Sequence, residues 1–181
     1  MRSTPAYILR LALTLLVITS LVAAALAGVN AVTAPIIAGL TAEKTQAAIE
    51  KVLPGGGKKL ESFTDETGLV KAVYVSDAGY AIEVAPSGFN GAVTMMVGVS
   101  KDAKVLGIDI ISHTETPSLG AVAADKGSAG QSFRDSFVGL SGELTVADID
   151  AITGATITSR AVTEGANAAL VCAANLSKEA A

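Results

Sequence analysis

The sequence predicts an α+β fold: a small, mostly antiparallel sheet with flanking helices, preceded by one amino-terminal transmembrane helix. Three observations predict it. A long uncharged stretch opens the chain, paired strand-like segments occupy its centre, and helical periodicity returns toward its end. Strands followed by helices, rather than regular alternation of the two, argue for segregated layers.

The first element is apolar throughout. No charged residue occurs from Leu11 to Ala42, and half of the 181 residues in the chain are apolar. The run Leu11–Val29 matches the roughly 20 residues that a helix needs to cross a hydrocarbon core. Arg2 and Arg10 precede it, and no Lys or Arg follows until Lys44. Cationic flanks stay in the cytoplasm, so the amino terminus is expected there and the rest of the chain outside the cell membrane, as a single-pass protein. Ala25-Leu26-Ala27 also fits the small-residue box of a cleaved signal peptide. The apolar core of a signal peptide is usually about 7–15 residues, shorter than this run, which favours a retained anchor. Both readings export the domain. Asn30 and Pro35 mark the expected helix exit. The predicted division is an anchor over residues 1–40 and an extracytoplasmic domain over 41–181.

Thr41-Ala42-Glu43-Lys44 reads as a helix start with Thr41 able to cap. Ala48, Ile49, Val52 and Leu53 give this helix a short apolar face, and Pro54 with Gly55-Gly56-Gly57 ends it. Two hairpins are predicted next. Leu69–Val75 and Tyr80–Ala85 flank the turn composition Ser76-Asp77-Ala78-Gly79, and Gly91–Val99 and Lys104–Ser112 flank Ser100-Lys101-Asp102-Ala103. In the last strand Leu106, Ile108 and Ile110 are expected to share one face. His113–Gly120 is a polar loop, Gln131–Val138 a short helix, and Asp148–Thr156 a glycine-containing turn. Ser159–Leu176 is a helix whose Val162, Ala166, Ala169, Leu170 and Ala173 form one face.

Composition excludes several chemistries. The net charge is -4 and the longest basic block is Lys58-Lys59, so a nucleic-acid backbone is not an expected partner. The single cysteine, Cys172, and the single histidine, His113, cannot build an iron–sulfur cluster, a c-type haem attachment or a structural zinc site. No metal site is expected, and Cys172 reads as a small buried apolar residue. If the chain moves electrons, it does so through an organic cofactor.

The run Asp150–Ala161 carries the chemistry. Gly154 and Ala155 remove side-chain bulk, so another molecule can approach the backbone. Thr153, Thr156, Thr158 and Ser159 crowd hydroxyls into a short stretch, and Thr158 or Ser159 can cap the helix that follows. A helix amino terminus presents unpaired N–H groups and a positive dipole end to an anion such as phosphate. Taken alone, the run reads equally as a capped helix start.

Its wider context resembles the FMN-binding domain family. Asp150, Thr153, Gly154, Ala155 and Thr156 match that family's Asp-x-x-Ser/Thr-Gly-Ala-Thr motif. Pro86–Gly91, ahead of a strand ending Val97-Gly98, is similar to its Gly-Tyr-Gly-Gly approach to the sheet, with Phe89 and Asn90 replacing Tyr and Gly. His113–Gly120 is similar to its His-x-Glu-Thr-Pro-Gly-Leu-Gly loop, with Ser118 in place of a glycine that can supply a positive φ.

The resemblance implies covalent FMN. In that family the last threonine of the motif is joined to FMN through a phosphoester, by a flavin transferase that uses FAD as donor. The implied attachment site is Thr156, with Thr153, Gly154, Ala155, Thr158, Glu115, Thr116, Leu119 and Gly120 as cofactor-binding residues. Glu115 and Thr116 are expected at the ring's polar edge and Leu119 over an apolar face. His113 reads as a hydrogen-bonding scaffold residue, Phe89 as either cleft or core, and Arg134 and Lys126 as surface charges. Within the family the chain resembles the G subunits of Rnf complexes. The implied role is an electron relay in a membrane ferredoxin:NAD oxidoreductase coupled to ion movement, without a substrate site or catalytic residue of its own. The implied partners are the other subunits, the transferase and membrane lipid. The C subunit of sodium-pumping NADH:quinone reductase shares the motif but is typically longer. A stand-alone extracellular flavoprotein reductase and a non-redox exported binding module with unmodified Thr156 are the remaining readings.

Overall fold

Residues 4–179 are described by the computed structural model. Helix α1 runs from Thr4 to Val52; Arg2, one of the two cations expected to orient the chain, lies outside the described residues. The exit expected at Asn30 and Pro35 does not occur, and Pro35 lies inside the helix. Proline removes one N–H and crowds the carbonyl four residues back. An apolar helix tolerates that loss where neighbouring turns and hydroxyls keep the backbone satisfied. Thr33 donates to Val29 O and Thr41 to Ile37 O, both at 2.9 Å. Thr41 therefore bonds back into the helix instead of capping a new one.

The chain forms two compact units that divide after Ala42. In the first, residues 6–42 are all exposed, including Leu13, Leu21, Leu26 and Val32. A contiguous apolar surface of this kind needs a non-aqueous or protein cover. Among the described residues, this is the one helix long and apolar enough to cross a membrane.

The second unit is built on a sheet. β1 (Lys58–Lys59), β2 (Val70–Val75), β3 (Gly79–Val84), β4 (Thr94–Ser100) and β5 (Val105–Ser112) form an antiparallel meander in that spatial order. The two predicted hairpins are present, closed by Ser76 N–H to Gly79 O at 2.9 Å and Ala103 N–H to Ser100 O at 3.0 Å. β1 is an addition to the predicted strands. With only two residues it carries no periodicity to read.

One face of the sheet packs on the last turns of α1, where Ala48, Ile49, Val52 and Leu53 meet Ala81, Met96 and Ile111. Lys51 Nζ donates to Asp109 Oδ1 on β5 at the same junction. The other face packs on α3 (Thr156–Glu179), whose Val162, Ala166, Ala169, Leu170 and Ala173 are buried with Ile82, Val84, Met95 and Val97. Cys172 is buried on the same helix.

Leu106 departs from the predicted stripe. Ile108 pairs with Val97 but Val105 with Val99, so β5 has one residue more than β4 over that interval. Such a bulge breaks the alternation of faces. Val105 and Ile108 enter the core with Ile110 against it, while Leu106 is 39% exposed.

Helix α2 spans Ser128–Asp135, beginning and ending three residues before the predicted bounds. It brings Phe133 against Phe137 edge-on, with ring centroids 5.4 Å apart. Arg134, expected at the surface, is 4% exposed. Its guanidinium donates to Ala123 O at 2.6 Å and Asp125 O at 2.9 Å. These carbonyls close the 3-10 turn Gly120–Ala124 that follows the polar loop. Backbone acceptors of this kind let a cation be buried without a carboxylate partner. Lys126 is exposed, as expected.

Candidate functional site

The hydroxyl-rich run ends in the first turn of α3. Ala155 N–H donates to Ile152 O at 3.0 Å, closing a turn in which Gly154 has φ +78. That left-handed conformation is one that glycine adopts without strain. The helix starts at Thr156, two or three residues before the predicted caps. Ser159 Oγ instead accepts the Ile152 N–H at 3.1 Å, and Ser159 N–H makes the first bond of the helix, to Ala155 O at 2.9 Å. By helix geometry the N–H groups of Thr156, Ile157 and Thr158 have no acceptor within the helix and form its positive end. Upstream, Thr145 donates its N–H and hydroxyl to Asp148 Oδ2 at 2.8 and 2.7 Å. These bonds hold the Asp148 carboxyl below its ordinary range and fix the chain's approach to the turn.

Glu115 ties this helix start to two loops. Its carboxyl is buried, with the residue 5% exposed. Oε1 accepts the Asn90 N–H at 3.1 Å, and Oε2 accepts the Thr158 hydroxyl. Asn90 and Thr114 lock the loops further. Asn90 Nδ2 donates to Thr114 O at 2.9 Å, and Thr114 Oγ1 donates to Asn90 O at 2.6 Å. A Cβ on Gly88 would fall inside 3.0 Å of Glu115 Oε1, and one on Gly120 inside 3.0 Å of both Glu115 Oε2 and Thr158 Oγ1. Both glycines therefore leave room for the carboxylate. His113 serves as scaffold, its Nδ1 accepting the Glu115 N–H at 3.3 Å. Ser118 has φ +63, the conformation for which a glycine is suited.

These elements enclose a cleft of about 260 Å³. Glu115, Thr116, Leu119, Gly120, Gly154, Ala155, Thr156 and Thr158 all line it, whereas Thr153 is exposed beside it in the turn. Phe89 and Ile157 also line it. Phe89 is 66% exposed, so it belongs to the cleft and not to the core. Ile157 is a lining residue that the motifs do not name. Its signal in the sequence is a large apolar residue on the same helical face as polar Arg160 and Glu164, off the buried stripe. A wider furrow of about 940 Å³ runs past Gly55–Gly57, Lys58, Asp77 and Lys101. It contains none of the motif residues, so chemistry, and not size, marks the smaller cleft.

The donor set suits a flavin nucleotide. Thr156 is exposed at a helix start where a phosphate charge is stabilised, Phe89, Leu119 and Ile157 offer apolar contacts for a ring, and Thr116 and Thr158 offer hydroxyls. Among the described residues no cluster of His, Cys, Asp and Glu is placed to hold a metal ion.

Residues 88–171 match the FMN-binding domain family. The G subunit of the Na(+)-translocating ferredoxin:NAD(+) oxidoreductase complex of Acetobacterium woodii is 35% identical, with 94% of each chain covered. The chain belongs to this G-subunit family. The G subunit of the ion-translocating oxidoreductase complex of Methanosarcina acetivorans is 29% identical over 90% of this chain and 93% of its own. The G subunit of the proton-translocating ferredoxin:NAD(+) oxidoreductase complex of Clostridium ljungdahlii is 39% identical over about half of each, 50% and 51%. Members of the G-subunit family thus carry names with different ions, and all the motif residues from Phe89 to Thr158 fall inside the matched domain.

Proposed function

We propose that this chain is the electron-relay subunit of an Rnf-type ferredoxin:NAD oxidoreductase complex coupled to ion translocation, and that it carries FMN esterified to Thr156. The observation that carries this reading is the exposed Thr156 at the first residue of α3, opening on a cleft lined by eight of the nine expected residues, Thr156 included. Thr153 alone stands outside the lining.

Attachment needs an accessible hydroxyl and FAD as donor. The Thr156 oxygen forms a bond to the phosphorus of the FMN half, the phosphoanhydride bond to AMP breaks, AMP leaves, and the hydroxyl proton passes to solvent. The resulting phosphodiester keeps one negative charge. The N–H groups at the start of α3 stabilise it by about 0.3–1 kcal/mol. Leu119, Phe89 and Ile157 supply apolar contact for the ring, while Thr116, Thr158 and Glu115 supply polar contact. When bound, FMN supplies one- and two-electron transfer chemistry that no side chain of the protein can. Covalent attachment keeps the carrier from being lost outside the membrane.

The exposed apolar surface of residues 11–40 supports a lipid-embedded anchor, and Arg10 before it with no cation until Lys44 supports a cytoplasmic amino terminus and an extracytoplasmic flavin domain over residues 41–181. Neighbouring subunits and the flavin transferase are the protein partners. Intact mass of the full chain from its native host, with peptide mapping of Asp150–Arg160, tests the attachment. A mass increase of one FMN less water on Thr156, and its loss in Thr156→Ala, is the expected result. An unmodified native chain, or a Thr156→Ala chain that still fluoresces as a flavin after denaturation, refutes it.

A further inference from the structure

We infer that Glu115 is the charge that sets the flavin's reduction potential, holding it low; this rests on the proposed FMN occupying the cleft. Among the described residues that line the cleft, Glu115 is the only one with an ionisable side chain, and no Lys, Arg or His accompanies it. Oε1 accepts the Asn90 N–H and Oε2 pairs with the Thr158 hydroxyl, so a charged Glu115 has a donor for each oxygen. The group is 5% exposed, so water and salt screen it weakly. Electrons entering the cleft add negative charge beside this fixed one. The carboxylate therefore opposes reduction without touching the electrons' path or consuming anything.

The fold keeps the carboxylate in place. Gly88 and Gly120 leave room for it, and the Asn90–Thr114 bonds brace the loops on either side. A group held only for packing would not need two glycines cleared around a charge. Glu115 is thus a positioning residue for the loops and an electrostatic one for the cofactor, and the two roles respond to different substitutions.

Glu115→Gln keeps the size and one acceptor and removes the charge. Glu115→Asp keeps the charge and disturbs the geometry more. The full chain, purified with its flavin from the native host, is titrated anaerobically with redox dyes, after intact mass has been recorded. Glu115→Gln is expected to raise the midpoint potential by about 30 mV or more, a tenfold change in the ratio of oxidised to reduced flavin for a two-electron couple. Glu115→Asp is expected to stay near the parent value. If Asp shifts the potential as far as Gln, or Gln shifts it downward or not at all, the inference is overturned while the attachment stands. If the Gln chain does not fold or take flavin, the parent potential is compared with free FMN in the same buffer. A parent value below free FMN supports the inference, and one at or above it overturns the inference. A parent chain of unmodified mass overturns both this inference and the reading beneath it.

Discussion

Replacing Gly120 with alanine would place a methyl group inside 3.0 Å of Glu115 Oε2 and Thr158 Oγ1, a separation that real Cβ atoms do not show. Neither neighbour can retreat freely. Glu115 is also held by the Asn90 N–H, and Thr158 lies in the first turn of α3. Forcing extra volume into such a site costs about 1–3 kcal/mol. Moving Glu115 away to relieve the clash breaks its bond to Thr158, and a hydrogen bond to a charged group contributes about 1.5–3 kcal/mol. The two penalties overlap, because one relieves the other. Alanine also narrows the unfolded ensemble, a gain of about 0.4–1 kcal/mol where the backbone accepts it. Gly120 does accept it, since its φ is not among the left-handed values. The net expectation, after that gain is subtracted, is a loss of about 0.5–2.6 kcal/mol. Urea unfolding of the full chain in detergent, followed by the fluorescence of Tyr74 and Tyr80 in the sheet, measures it. A midpoint change equivalent to less than about 0.5 kcal/mol, at unchanged slope, would mean that the carboxylate is not held as described.

Arg134→Met leaves the carbonyls of Ala123 and Asp125 without their donor and should cost about 2–4 kcal/mol by the same unfolding assay, with Arg134→Lys recovering part of it because one nitrogen, Nη1, serves both carbonyls. Glu83, half-buried on β3, has its carboxyl held above the ordinary range by burial, with Lys59 partly offsetting. The folded chain therefore binds that proton more tightly than the unfolded chain, so this group contributes stability in acid and loses it as pH rises from the unfolded value through the folded one. Glu83→Gln should be more stable than the parent at pH 7, and the difference should vanish below about pH 4, as thermal unfolding across pH will report.

The hairpins are legible in the sequence because alternation and turn composition are local. Tyr80, Ile82 and Val84 face α3 while Ala81 and Met96 face α1, as a two-residue period requires. The exposure of Leu106 is not legible, because a bulge is a property of the pairing of β5 with β4 and leaves no mark in either strand alone. Pro35 misleads for a related reason: its cost is local, but whether a helix absorbs it depends on the turns on either side, and here the helix continues through it to Val52. Arg134 reads as a surface residue until two carbonyls from a neighbouring turn are placed beside it. At the cleft the motifs name eight of the lining residues, and Ser118 takes the left-handed φ of the glycine it replaces.

One requirement joins motifs that lie far apart in the chain. The proposed attachment needs a hydroxyl open to solvent, and Thr156 is exposed at the start of α3. Phe89, Leu119 and Ile157, exposed by 66%, 45% and 51%, crowd that same opening, although water disfavours apolar clusters. Nothing in the local sequence of any one loop would hold such a mouth open. It is held from below, where Glu115 draws Asn90 from one loop and Thr158 from α3 onto a single buried carboxyl. An apolar residue there would pack at lower desolvation cost, as replacements of buried ion pairs show in general, but it has no oxygens with which to join the three segments. The costly charge, the cleared glycines and the exposed apolar rim are each unfavourable alone, and they coincide where the chain departs most from what folding by itself requires.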